Sequence, residues 1–190
     1  MKTEIEARLL DCNVEQVIEK LKNKNAKFEG DWLQLRYCYD FKPALENSWI
    51  RLRTNGKETT LTIKEINSSK IDGTKELEIV VSDFYETDLI LNKLGFNARS
   101  KQENRRIRYT LDSVEIDIDF WPYIPPYVEF EADSEEDIIK VCKILGLEYG
   151  ELTTLDVSSI YNKYGLNINE MPEVVLEENK KLSFNVEEME

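Results

Sequence analysis

The charged residues that could do chemistry in this 190-residue chain recur at positions two apart. Because side chains alternate across a β-strand, residues two apart lie on one face of a sheet. The opposite face of the same segments is apolar, for example at Leu52, Ile118 and Phe130. The charged face carries Glu4, Glu6 and Arg8; Arg51 and Arg53; Thr60, Thr62 and Lys64; Glu76 and Glu78; Asn104, Arg106 and Arg108; Asp117 and Asp119; and Glu129 and Glu131.

Such a face requires counter-ions if it is enclosed. Two carboxylates about 4 Å apart repel each other by roughly 4 kcal/mol at an effective dielectric constant near 20. The carboxylates would therefore need cations, and the arginines and Lys64 would need an anion. Oxygen ligands without histidine or cysteine select Mg²⁺, Mn²⁺ or Ca²⁺, and arginine pairs suit the oxygens of phosphate. A metal-bound polyphosphate satisfies both sets of charges.

The composition excludes several other kinds of chemistry. The chain has no histidine, which excludes a Ser-His-Asp triad and a histidine-ligated zinc or haem. Cys12, Cys38 and Cys142 are widely spaced, which argues against a disulfide framework and predicts a reducing, cytoplasmic location. A net charge of −13 disfavours a nucleic-acid partner, and no apolar run reaches the roughly 18 residues of a membrane span.

The elements that position these charges are short strands interrupted by helices. Asn13, Asp83 and Ser134 are predicted to cap helices, and Asn55-Gly56 predicts a hairpin turn. The apolar periodicity predicts strands over 3–10, 33–40, 49–53, 58–64, 75–81, 99–109, 114–120 and 127–132, with helices over 13–23, 83–94, 134–146 and 156–164.

The charged face has two interpretations. It is most often the solvated side of an antiparallel sheet. Here, however, it consists mostly of carboxylates and arginines in pairs, and the apolar faces have helices available to cover them. If the sheet closes with its helices outside, the charged face becomes the lumen of a barrel.

The charged segments, in this order, resemble the CYTH family of triphosphate tunnel metalloenzymes. That family includes class IV adenylyl cyclases, thiamine triphosphatases and inorganic triphosphatases. The resemblance covers about residues 1 to 165, and it is densest between Ile116 and Glu131. It implies an α+β fold: a closed eight-stranded antiparallel β-barrel, the triphosphate tunnel, with helices packed outside. We expect this domain to span residues 1–170 and an acidic tail to span 171–190.

The resemblance also implies a role for each matching residue. It assigns catalysis to Glu4, Glu6, Arg8 and Lys64. It assigns substrate binding to Arg51, Arg53, Lys64, Arg106, Arg108, Glu76 and Glu78. It assigns a metal, Mg²⁺ or Mn²⁺, to Glu4, Glu6, Asp117, Asp119, Glu129 and Glu131.

The implied function is a divalent-metal-dependent enzyme acting on a small-molecule triphosphate, with a phosphohydrolase ranked first. The sequence lacks an obvious adenine pocket, so a class IV adenylyl cyclase is the alternative. A non-catalytic polyphosphate- or nucleotide-binding module is the second alternative. It is motivated by Arg8 and Asn104, where the family signature usually has lysine. A homodimer is compatible with each of these functions.

Overall fold

Eight antiparallel strands form a closed ring in the computed structural model, which describes residues 1–177. The order around the ring is β2-β3-β4-β5-β1-β8-β7-β6, and β2 pairs with β6 to close it. This confirms the predicted eight-stranded barrel. The strands are β1 (Lys2–Leu9), β2 (Lys27–Tyr39), β3 (Ser48–Thr54), β4 (Thr59–Ile66), β5 (Thr74–Val81), β6 (Ala98–Leu111), β7 (Val114–Phe120) and β8 (Tyr127–Ala132).

Four α-helices lie outside the barrel wall: α1 (Val14–Asn23), α2 (Phe84–Lys93), α3 (Glu135–Leu145) and α4 (Val157–Lys163). The predicted caps are confirmed, because the side chains of Asn13, Asp83 and Ser134 each accept a hydrogen bond from a backbone N–H of the first turn. No helix within residues 1–177 is long and apolar enough to cross a membrane.

The two faces of the strands are separated as the alternation predicts. The apolar face points outward, where α1 and α3 cover Ile116, Val128 and Phe130. The second helix, α2, packs on Tyr39 and Leu52 of β2 and β3. The charged face therefore points into the barrel. The apolar face is on the outside, and the helices stabilise this arrangement by burying it.

The largest departures from the predicted elements are at β2 and near the C-terminal end of the described residues. The strand β2 begins at Lys27 rather than at residue 33, because it pairs with β6 along its whole length and passes an irregularity between Phe28 and Gly30. A short strand, β9 (Glu173–Val174), pairs in parallel with β6, and Val174 is buried. The tail predicted from residue 171 is thus attached to the barrel at its start, and residues 178–190 lie outside the described part.

Phe130 tests whether the apolar core lies between the outer face of the barrel and the helices. Its side chain is fully buried between the outer face of β8 and the helices. We expect Phe130→Ala to lower the free energy of unfolding by about 3–5 kcal/mol, measured by urea denaturation. Leu77→Ala is the matched control, because Leu77 lies on the outer face of β5 but is 50% exposed. Equal losses in the two variants would contradict this account of the core.

Candidate functional site

The lumen is a charged cavity of about 990 Å³. Among the predicted site residues, Asp117 and Asp119 are buried in the wall behind Arg106. The others line the cavity together: Glu4, Glu6, Arg8, Arg51, Arg53, Lys64, Glu76, Glu78, Arg106, Arg108, Glu129 and Glu131. Strand register brings them together, since successive neighbours in the ring each contribute the same face.

Arg8 lies between two carboxylates. Its Nε donates to Oε2 of Glu129 at 2.7 Å, and its Nη2 donates to Oε2 of Glu6 at 2.8 Å. The remaining terminal nitrogen, Nη1, donates to the backbone carbonyl of Leu155 at 2.9 Å. Although burial disfavours the charged form, Glu129 and Glu6 hold the pKa of Arg8 well above its ordinary value. Arg8 thus joins β1, β8 and the segment that leads into α4.

Arg106 neutralises a second carboxylate group. Its guanidinium contacts Asp117 at 2.6 Å, Asp119 at 2.5 Å and Glu129 at 3.1 Å. Asp117 also accepts two bonds from Arg108, both at 2.7 Å. The two aspartates predicted as metal ligands are therefore engaged by arginines, and neither lines the open cavity.

Glu131 is a carboxylate whose negative charge is not balanced by a basic side chain. It lies directly across from Glu6 on β1 and from Glu115 on β7, and it forms no ion pair with a basic residue in the described part of the chain. Burial, together with the charges of Glu129, Glu115 and Glu6, raises the pKa of Glu131 to about 6. The charge of this carboxylate is balanced either by a proton or by a cation bound beside it.

Glu4 shares one ammonium group with Glu76. Lys64 Nζ lies 2.9 Å from each of the two carboxylates. Burial, against the opposing charge of Lys64, raises the pKa of Glu4 to about 7. For Glu76 the charges of Lys64 and Arg51 outweigh burial and lower its pKa to about 2.

The donor set fits a hard cation in type and charge. Carboxylate oxygens suit Mg²⁺ or Mn²⁺, and Glu131 and Glu6, which lie directly across from each other on β8 and β1, are the residues that would hold the ion. No three acidic or cysteine side chains within residues 1–177 converge closely enough to form a ready site. The ion would therefore have to draw these side chains together.

The opposite charge accumulates on β2 and β3. Arg36 and Arg53 are directly paired across the two strands, and Arg51 is the next cavity-facing residue of β3. The charge of Arg51, followed by burial, lowers the pKa of Arg53 to about 9. The Nε atoms of Arg36 and Arg51 are buried and have no hydrogen-bond partner. Repulsion among cations and unused donors both indicate a site for an anion.

Several lining residues are not among the predicted site residues. Examples are Arg36, Cys38, Gln102, Glu115 and Trp121. The strand over 33–40 is predicted, and its alternation of Gln34, Arg36 and Cys38 with Leu35 and Tyr37 could have identified its cavity face. Trp121 carries no comparable signal, because it follows the last residue of β7 in a loop.

A closed barrel with a charged tunnel defines the class of this protein, and comparison gives its family. The family model described as the CYTH domain matches residues 2–164. The chain therefore belongs to the CYTH family, whose members act on triphosphates and generally depend on divalent metals. No curated protein matches the sequence.

Solved structures share the fold at low identity. A conserved hypothetical protein from Pyrococcus furiosus is 22% identical with a TM-score of 0.70, covering 83% of this chain and 99% of that one. The PH1012 protein from Pyrococcus horikoshii is 23% identical with a TM-score of 0.70, covering 83% and 98%. HpAC1 from Hippeastrum, a candidate adenylyl cyclase described as having a dominant triphosphatase activity, is 14% identical with a TM-score of 0.57, covering 87% and 97%.

Glu131 predicts a pH dependence of stability. Its pKa is higher in the folded protein than the ordinary 4.5, so folding takes up a proton and stability falls as the pH rises towards about 6. We expect Glu131→Gln to be more stable than the parent by about 1–2 kcal/mol at pH 8 in metal-free buffer, and equally stable at pH 4.

Urea denaturation at both pH values measures this difference. Glu129→Gln is the control on the same strand, and we expect it to lower the stability at pH 8 rather than raise it. Arg8 and Arg106 outweigh burial and lower the pKa of Glu129, so its charge stabilises the fold at pH 8. If Glu131→Gln loses stability at pH 8 as Glu129→Gln does, the negative charge of Glu131 is balanced in the folded protein.

Arg8 predicts a second effect on stability. We expect Arg8→Met to cost about 3–5 kcal/mol at pH 8, because it leaves Glu6 and Glu129 buried without their shared cation. Arg8→Lys keeps the charge and should cost less, although its single nitrogen cannot reach all three positions that the guanidinium nitrogens occupy. Adding Glu129→Gln to Arg8→Met should recover part of the loss. An Arg8→Met protein as stable as the parent in urea denaturation would show that this pairing is dispensable.

Proposed function

We propose that this protein is a divalent-metal-dependent triphosphate phosphohydrolase. The observation that carries the proposal is the separation of charge within one cavity. Arg36, Arg51 and Arg53 face the lumen and repel one another, and the Nε atoms of Arg36 and Arg51 are unused donors. Glu131 and Glu4 face the same lumen, and their raised pKa values show that their negative charges are not fully balanced. A triphosphate accompanied by a metal ion balances both groups at once.

The arginines and Lys64 would hold the phosphate groups. Arg51 contacts Glu76 and Glu78 only at 3.5 Å and 3.4 Å, and Arg53 reaches Glu78 at 3.7 Å. These long ion pairs leave the guanidinium groups free to take phosphate oxygens at the shorter distances of charge-assisted hydrogen bonds. In the reaction they would stabilise the negative charge that develops on the leaving group.

Hydrolysis needs a water molecule and a place for its proton. The water oxygen forms a bond to the terminal phosphorus, and the bridging P–O bond breaks to release the shorter phosphate. A bound Mg²⁺ or Mn²⁺ would shield the phosphate charge and make that water more acidic. Glu4 is the candidate general base, because its pKa of about 7 lets its carboxylate take up the proton near neutral pH.

A class IV adenylyl cyclase is the second candidate. Trp49 lines the cavity on β3 and is half-buried, so its indole is available for a base to stack on. In that reaction the ribose 3′-hydroxyl would attack the α-phosphorus, and pyrophosphate would leave. A non-catalytic binding module is a third interpretation, because Arg8 and Asn104 replace lysines of the family signature.

Two further proposals concern the surroundings of the protein. Cys12, Cys38 and Cys142 are free thiols, which suits the reducing cytoplasm. Exposed apolar residues on β5 and α2, among them Ile79 and Leu89, provide a surface compatible with a homodimer.

Product analysis distinguishes the candidate functions. The protein is incubated with Mg²⁺ or Mn²⁺ and tripolyphosphate, thiamine triphosphate or ATP, and the products are resolved. We expect orthophosphate from at least one substrate. Cyclic AMP with pyrophosphate would instead identify a cyclase. Tight binding without turnover across both metals would identify a binding module.

The arginine pair is tested by binding. We expect Arg51→Ala/Arg53→Ala to weaken tripolyphosphate binding at least about 100-fold in isothermal titration, since each charge-assisted bond contributes about 1.5–3 kcal/mol. Arg105→Ala is the control, because Arg105 lies on the opposite face of β6 and pairs with Asp31. If the double variant binds as tightly as the parent, the tunnel is not the triphosphate site.

A further inference from the structure

We propose that Arg36 is a phosphate-binding residue of the tunnel and that it supplies the positive charge missing at Asn104. This inference rests on the proposed function and names one more contact for its substrate. Arg36 lies on β2, a strand on which no binding residue is predicted from the sequence.

Arg36 lies at the centre of the basic side of the cavity. On one side its direct neighbour is Arg53 of β3, and on the other side it is Gln102 of β6. The side chain is 6% exposed and lines the lumen. Arg36 therefore belongs to the group of arginines that a triphosphate in the tunnel would contact.

The contacts of Arg36 hold it in place without neutralising it. Its guanidinium carbon lies 4.5 Å from the ring centre of Trp121. Its Nη2 donates to Gln34 Oε1 at 2.8 Å and to Asn104 Oδ1 at 2.6 Å. All three partners are uncharged, and within residues 1–177 Arg36 forms no ion pair with a carboxylate.

This environment differs from that of Arg8 and Arg106, two of the other buried arginines that line the lumen. Arg8 and Arg106 each bind two or more carboxylates, which raises their pKa values. For Arg36, burial followed by the charges of Arg51 and Arg106 lowers the pKa to about 10. Its Nε is buried without a partner. A fixed, uncompensated guanidinium with an unused donor is suited to an anionic oxygen.

Trp121 determines how the guanidinium is presented. Stacking on the indole fixes the plane of the guanidinium and removes the freedom that ligand binding would otherwise cost. Trp121 in turn packs edge-on against Tyr161 of α4 at 6.1 Å between ring centres. The position of Arg36 is thus supported by the helix that packs against this part of the barrel.

Asn104 links Arg36 to the neighbouring strand. Asn104 lies on the inward side of β6 but is fully buried outside the open cavity, and its amide joins Arg36 to Asp119, which accepts from Asn104 Nδ2 at 3.0 Å. A lysine at 104 would place an ammonium group close to the guanidinium and repel it. The asparagine instead orients Arg36 through a hydrogen bond. The positive charge that a lysine at position 104 would carry on β6 is thus carried by Arg36 on β2.

The test measures tripolyphosphate binding by isothermal titration in buffer with a chelator, so that metal and turnover play no part. We expect Arg36→Gln to weaken binding about 10- to 100-fold, and Arg36→Lys to weaken it less. Arg36→Gln/Asn104→Lys should restore affinity to within about threefold of the parent. Arg105→Gln, on the opposite face of β6, is the matched control and should leave binding unchanged.

Three results would overturn the inference in distinguishable ways. If Arg36→Gln binds as tightly as the parent while Arg51→Ala/Arg53→Ala does not, Arg36 only packs on Trp121 and the proposed function stands. If Asn104→Lys fails to rescue Arg36→Gln, the exchange of charge between strands is wrong. If the parent itself does not bind tripolyphosphate, the proposed function fails with the inference.

A measurement on the unaltered protein covers the case in which Arg36→Gln does not fold. The Nε–Hε resonance of Arg36 is assigned by its loss in Arg36→Lys and is followed by NMR during titration with tripolyphosphate. We expect a shift that saturates with the affinity seen by calorimetry. A resonance that does not move would overturn the proposal.

Discussion

The balance of charge inside a closed barrel is the constraint on which the rest of this structure depends. A charge inside the wall interacts strongly with its neighbours, and leaving one unpaired costs several kcal/mol. Arg8 and Arg106 satisfy that constraint for four carboxylates on β1, β7 and β8: Glu6, Asp117, Asp119 and Glu129. Glu131 on one side and Arg36 on the other remain outside these pairs. In the proposed function the unbalanced charges meet the metal ion and the triphosphate, and the paired ones determine the shape of the site.

The architecture outside the lumen follows from the same constraint. Because the inner face of each strand is charged, the apolar face must be covered from outside, and α1, α2 and α3 do this over most of the wall. The C-terminal segment is held to the barrel by polar contacts as well. Thr153 forms a backbone bridge with Arg8, and Leu155 accepts from its guanidinium. Arg8 is thus one of the residues that attach this segment to the barrel, together with the pairing of β9 and β6.

The two departures from the family signature have different structural consequences. At position 8, arginine makes three contacts that a lysine could not make together, and it becomes a cross-link between carboxylates. At position 104, asparagine removes a charge but orients Arg36, which carries one. The first change restricts how freely Glu6 and Glu129 can turn to a metal ion. The second keeps the positive charge of the tunnel while moving it to another strand.

The sequence by itself determined which residues share a face of each strand. Alternation is a local property of a strand, so the pairs Arg51 and Arg53 and Glu129 and Glu131 were identifiable, as were the caps at Asn13, Asp83 and Ser134. Only the tertiary structure decided which charges neutralise each other. That depends on strand order, register and ring closure, which bring Glu131 beside Glu6 and Arg36 beside Arg53 from distant parts of the chain. Asp117 and Asp119 share the inward face with Glu129, yet Arg106 covers them, because pairing is set by distance across strands rather than by spacing along one.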